Sequence, residues 1–163
     1  MQVVLGGTFD PVHDGHRKLF TKAFKLGDLT VGLTSDTLAP KTRNIAREVR
    51  SFADRYDYLE RELEQLAMEY NREFDIRELT DPFGIAVEPQ FDILIVSPET
   101  IAGGEQVNEI RTDNGLDPVE LNIVDHVYAE DGRKISSTRI VNGEIDEHGN
   151  LTPERTGRET GTE

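Results

Sequence analysis

Apolar residues cluster in five short runs, Val3–Leu5, Leu29–Leu33, Phe74–Leu79, Phe91–Val96 and Val119–Val124, each the length of a buried strand. Between them the spacing becomes helical. Leu19, Phe20, Ala23, Phe24 and Leu26 share one face over residues 16–26, and Gly27 stands where that helix would stop. Phe52, Tyr56, Leu59, Leu63 and Leu66 repeat the pattern over 52–72 behind a Ser51-x-x-Asp54 capping signal, and this stripe reads as core. Thr34-Ser35-Asp36 reads as a further helix start, and Thr80-Asp81-Pro82-Phe83-Gly84 as a break after the third strand. Ser97-Pro98-Glu99-Thr100 opens another helix with proline near its first position, and Ser136-Ser137-Thr138 opens a short last one.

Strands alternating with helices predict an α/β fold, a Rossmann-like, doubly wound and mostly parallel five-stranded sheet with helices on both faces. At 163 residues the chain suits one domain with a core and a cleft. Residues from Gly143 onward turn polar without apolar period, which predicts a disordered tail over 147–163 behind a domain spanning 1–146.

Composition narrows the chemistry. No cysteine is present, which removes disulfides, thiolate nucleophiles and cysteine metal sites. There is no apolar stretch of membrane-spanning length, and Met1 leads straight into the first strand, so a soluble, cytoplasmic protein without membrane partners is expected. Asp and Glu number 32 against 18 Lys and Arg, a net charge of −14. Such a surface repels polyanions, so no nucleic-acid partner is expected. It repels itself as well, and is relieved where salt screens it, as in a halophile's cytosol.

The densest chemistry lies at residues 3–20, where Gly6-Gly7-Thr8-Phe9-Asp10-Pro11 follows the first strand and His13-Asp14-Gly15-His16 opens the first helix. Glycines let a ligand approach the main chain, and a helix N-terminus offers free N–H groups to an anion. His13 and His16, three apart, share a face from which each can donate to phosphate. A single histidine there would more simply be a cap. Metal ligation by the pair is discounted for want of a third ligand. Arg17, Lys18, Lys22 and Lys25 either draw in an anionic substrate or form a solvated helix face. Lys41, Arg43, Arg47 and Arg50 make a basic segment after the second strand, where ligands bind in open α/β sheets. His126 has no motif partner and is assigned no function.

Gly6 to Pro11 with His13-x-Gly-His16 resembles the first signature of the His-x-Gly-His nucleotidyltransferases, and Lys134-Ile135-Ser136-Ser137-Thr138-Arg139-Ile140 resembles their second. Thr-Phe-Asp-Pro with Ile-Ser-Ser-Thr-Arg is most similar to the archaeal phosphopantetheine adenylyltransferases, over residues 1 to about 146.

The resemblance implies transfer of AMP from ATP to 4′-phosphopantetheine, giving dephospho-coenzyme A and pyrophosphate. It implies catalytic roles for His16, Lys41 and Thr8, and acceptor contacts from Thr8, Asp10 and Lys41. ATP contacts would come from Gly7, Thr8, Phe9, His13, Gly15, His16, Ser136, Ser137, Thr138 and Arg139. Asn108 and Arg111 resemble an archaeal Asn-x-x-Arg element and are either ATP contacts or ordinary helix polarity. Magnesium is expected on the phosphates, with no metal site built from protein side chains. A sister transferase of the superfamily, for glycerol phosphate, FMN or NMN, and a nucleotide-binding protein without catalysis remain the alternatives; the oligomeric state is open.

Overall fold

The computed structural model describes residues 1–39 and 49–152. Lys41, Arg43 and Arg47 lie outside the described residues, as do 153–163. The elements are β1 (Gln2–Gly7), α1 (Asp14–Leu26), β2 (Asp28–Thr34), α2 (Phe52–Tyr70), β3 (Phe74–Leu79), β4 (Ile93–Val96), α3 (Ile101–Asp113), β5 (Glu120–Ile123) and α4 (Ser137–Val141).

All four strand pairings are parallel, in the order β3-β2-β1-β4-β5. The order reverses at β1, which pairs with β2 on one side and β4 on the other, and a crevice opens there at the carboxyl ends of the strands. Strand alternation divides the core into two layers. Val3 and Leu5 face α1 and α2, with Phe20, Phe24, Leu59 and Leu63, while Val4 faces the opposite way, with Leu94, Val96 and Val107 of α3. Gly27 closes α1 because space demands it: a Cβ there would lie 2.1 Å from the Met1 carbonyl oxygen.

Two expectations change. Thr34 is the last residue of β2 and not the start of a helix; behind it Ser35 Oγ accepts from the Leu38 amide and closes a turn. The domain also runs past residue 146. Ile145, 1% exposed, packs with Ala129 and Ile135 in a third apolar cluster, and Leu151 bridges back to Ile145. The Glu147 carbonyl accepts the Asp14 amide at 3.0 Å, so 147–152 is part of the body. Ile145 and Leu151, two apolar residues six apart in a polar stretch, make too weak a period to reveal this.

Candidate active site

The loop after β1 turns on Phe9, which takes a left-handed φ of 52°. Gly6 and Gly7 remain in the strand, and their small size is what matters: a Cβ on Gly7 would stand 2.8 Å from the Phe9 ring. That ring is buried, edge-on to His16 at 4.8 Å and tilted on Phe20 at 5.4 Å. Phe9 therefore supports His16 from behind. The peptide between Asp10 and Pro11 is cis.

His13 is the N-cap of α1, with its Nδ1 accepting from the Gly15 amide at 3.0 Å, and His16 Nδ1 accepts from the His13 amide at 3.2 Å, a reciprocal capping box. Gly15 is required, because a Cβ would meet the His13 ring at 2.8 Å. The two rings stack at 3.8 Å. Burial, then the positive charge of Arg17, pushes His13 down to about 4, against an opposing pull from Asp14. Burial, followed by His13 and Arg17, holds His16 well below the ordinary imidazole value. Both rings are neutral at neutral pH. With each Nδ1 an acceptor, the single proton of each must sit on Nε2.

The amides at the start of α1 are thus occupied: Asp14 bonds Glu147, Gly15 bonds His13, and His16 closes the box. Free helix amides are not what this terminus offers an anion. It offers two parallel imidazole N–H donors.

Those donors stand in a cleft of about 290 Å³ lined by Gly7, His13, His16, Ser136 and Ser137, together with Ser97, Glu99, Asp125, His126 and Lys134. A second cavity of about 370 Å³ shares the Gly6–Gly7 wall and Thr100 with the first. Its lining is largely apolar, with Val4, Leu79, Phe83, Ile85, Leu94 and Val107, and Thr8 and Thr34 stand at its edge. A polar chamber and an apolar one thus meet at the first signature.

Residues 4–143 match the model of the cytidylyltransferase-like family. The chain belongs to the cytidylyltransferase-like family. Among curated relatives, a phosphopantetheine adenylyltransferase of Methanosarcina barkeri is 42% identical over 153 residues, covering 92% of each chain. One of Archaeoglobus fulgidus is 42% identical over 153 residues, covering 93% of this chain and 99% of that one. A crystal structure of a protein of unknown function from Archaeoglobus fulgidus superposes with a TM-score of 0.67 at 38% identity, over 77% of this chain and 90% of that one.

Several residues expected at the family's site are held elsewhere. Asn108 forms a two-bond clamp with Val119, donating to its carbonyl at 3.0 Å and accepting its amide at 2.8 Å, which fixes the approach to β5. Arg111 is 3% exposed and donates to the carbonyls of Ala86, Glu88, Phe91 and Asp117. It ties down the loop whose Ile85 and Ala86 wall the apolar cavity, so neither residue reaches the polar cleft. Asp10 is buried, and its carboxylate takes the Arg50 amide at 2.8 Å and Nε at 2.5 Å. It fastens the segment before α2 and lines neither chamber. Arg17 is clasped by Glu62 above all, and by Asp14 and Glu147, which removes it from the anion-attracting group and holds its guanidinium above its usual range against the opposing effect of burial.

The second signature acts first as a tether. Ser137 Oγ donates to the Pro11 carbonyl at 2.8 Å, joining the two signatures, and Ser136 Oγ caps α4 through the Arg139 amide at 3.2 Å. Arg139 pairs with Asp131 and Glu144 and does not line the cleft, nor does Thr138.

Three residues to which the sequence assigned no role stand at or beneath the site. His126 lines the cleft without any motif to mark it. Lys134 is the only Lys or Arg among the described lining residues, and its ammonium pairs with Glu99. Arg55 is fully buried under the β1–β2 edge, bonding the carbonyls of Thr8, Thr34 and Arg50. Its signal was present in the sequence: Arg55, Leu59, Leu63 and Ala67 form the inward stripe of α2, and an arginine on such a stripe is there for a reason.

Proposed function

We propose that this chain transfers AMP from ATP to 4′-phosphopantetheine, releasing pyrophosphate and dephospho-coenzyme A. The observation that carries the reading is the meeting of the two chambers at Gly6 and Gly7, one lined by imidazole N–H donors and the other by apolar side chains with Thr8 among them. The family match and the named archaeal relatives support it. The polar chamber takes the nucleotide, and the apolar one takes the pantetheine arm with its phosphate at Thr8.

A phosphate oxygen of the acceptor attacks the α-phosphorus in line, the bond to the bridging oxygen of the β-phosphate breaks, and pyrophosphate leaves with that electron pair. No proton has to move. Placement and charge stabilisation supply the acceleration. His16 Nε2–H donates to the α-phosphate as its charge reorganises, and His13 Nε2–H with the Ser136 hydroxyl holds the triphosphate. Thr8 positions the acceptor phosphate together with Lys41, a role for Lys41 that rests on the family resemblance alone. Gly7 and Gly15 leave room for the Phe9 and His13 rings that set these donors.

Magnesium fits this cleft as an ion carried by the nucleotide. Among the described residues no cluster of three ligating side chains exists, but Glu99 and Asp125 line the cleft, and a hard cation with phosphate and water ligands needs only one or two carboxylates. When bound it neutralises triphosphate charge. Among the described residues no helix is long and apolar enough to cross a membrane. A cytoplasmic, salt-adapted biosynthetic enzyme is the setting we infer from these features and the acidic surface.

The test is pyrophosphate release from ATP or CTP with a panel of acceptors: 4′-phosphopantetheine, glycerol 3-phosphate, FMN and NMN. Turnover with ATP and 4′-phosphopantetheine alone is expected. Faster turnover with CTP or with another acceptor overturns the assignment, and tight ATP binding without any turnover makes the chain a nucleotide-binding protein.

A further inference from the structure

We propose that Arg55 and Thr34 are positioning residues, forming a one-way hydrogen-bond relay that turns the Thr8 hydroxyl into a donor toward the phosphate beside it. The proposal rests on the functional reading above in taking Thr8 to face a reacting phosphate. Its basis is the geometry at the ends of β1 and β2. The register pairs Gly7 with Leu33, so the next residues, Thr8 and Thr34, stand side by side, with their hydroxyl oxygens 2.9 Å apart.

Arg55 enters from α2 beneath them with no solvent exposure. Its Nη1 donates to the carbonyls of Thr34 at 2.9 Å and Thr8 at 3.3 Å, and to Thr34 Oγ1 at 3.2 Å. Its Nε donates to the Arg50 carbonyl and its Nη2 to Asp36, a largely exposed carboxylate. The carbonyl bonds describe a structural clamp. The bond to a hydroxyl adds something that a clamp does not need.

A guanidinium can only donate, so Thr34 Oγ1 must accept from it. Thr34 then has one hydrogen to place, and among the described residues the only acceptor its Oγ1 meets is Thr8 Oγ1. If Thr34 donates to Thr8, the Thr8 hydrogen is left for the cavity that both residues line. If Thr8 donated to Thr34, it would turn lone pairs toward an arriving phosphate. The buried cation decides between the two, since every O–H dipole in a chain leading away from a positive charge is favoured with its oxygen toward that charge. The order is guanidinium, Thr34, Thr8, phosphate, and it carries the influence of a charge that never touches substrate to the reacting group.

The experiment compares T34V, which keeps the shape and loses the hydroxyl, with T34S, which restores it. Expected for T34V is a fall in kcat of about 10-fold, the lower end of what orienting partners behind a reactive group cost, with KM for ATP unchanged. T34S should recover to within about twofold. An unchanged kcat in T34V, or a loss that T34S does not restore, overturns the relay; so does a loss in which kcat and the KM for ATP both worsen in step with a lowered Tm. A second measurement needs neither turnover nor a variant: on titrating the wild type with inorganic phosphate, the Arg55 guanidinium N–H resonances should shift, and resonances that stay fixed while phosphate binds, or while it fails to bind, overturn the proposal. A wild type that turns over no acceptor removes the functional reading but leaves this titration to decide the relay.

Discussion

Acidifying the protein from about pH 7 to about pH 5 should cost the fold roughly 2 kcal/mol through His13 alone. The ring is 6% exposed and is held at about 4, against an ordinary value of 6.5. Below the ordinary value the unfolded chain takes up a proton that the folded chain refuses until about pH 4. Stability from His13 is therefore complete above that ordinary value and is lost as the pH falls toward the folded one. Each tenfold difference in proton affinity is worth about 1.4 kcal/mol, which gives the figure above at pH 5. His16 is shifted the same way and adds to the fall. The informative variant is His13→Asn, because asparagine keeps an N-cap acceptor while removing the titrating ring. Urea denaturation at the two pH values should show the wild type losing about 2 kcal/mol more than the variant, or about 4–8 °C in Tm for a chain of this size. Parallel losses in the two proteins would refute the claim that His13 is held neutral by its surroundings.

Four further outcomes are expected. His16→Ala should lower kcat by roughly 10²- to 10³-fold with ATP affinity little changed, as loss of one preorganised donor does, whereas a strong rise in the ATP Kd at constant kcat would place His16 in ground-state binding. His13→Ala should weaken ATP binding and also destabilise by about 1 kcal/mol through the lost cap, which His13→Asn restores; equal denaturation midpoints for the two variants would contradict the cap. Tm should rise from dilute buffer to molar potassium chloride as the acid excess is screened, and truncation after Thr152 should leave turnover intact while truncation after Gly143, which removes Ile145 and Glu147, lowers Tm; a Tm indifferent to salt, or to truncation after Gly143, would count against each.

The sequence by itself determined whatever depends on local periodicity. The five strands, α1 ending at Gly27, and α2 behind Ser51 all follow from spacings within a few residues, and the polarity of β1 is written in the adjacent Val3, Val4 and Leu5. His13, Gly15 and His16 were legible as a group because they lie within one helical turn. Tertiary structure decided what those groups do. Whether an arginine is a ligand or a tie depends on which carbonyls surround it, and for Arg111 these come from residues 86, 88, 91 and 117. Asp10 meets Arg50 across 40 positions and Arg17 meets Glu147 across 130, separations over which no periodicity carries information. The protonation of the two histidines was likewise beyond the motif. It follows from burial and from which ring nitrogen already accepts a hydrogen bond, and both are fixed only when α1 docks on the sheet and the chain through Thr152 closes against its first turn.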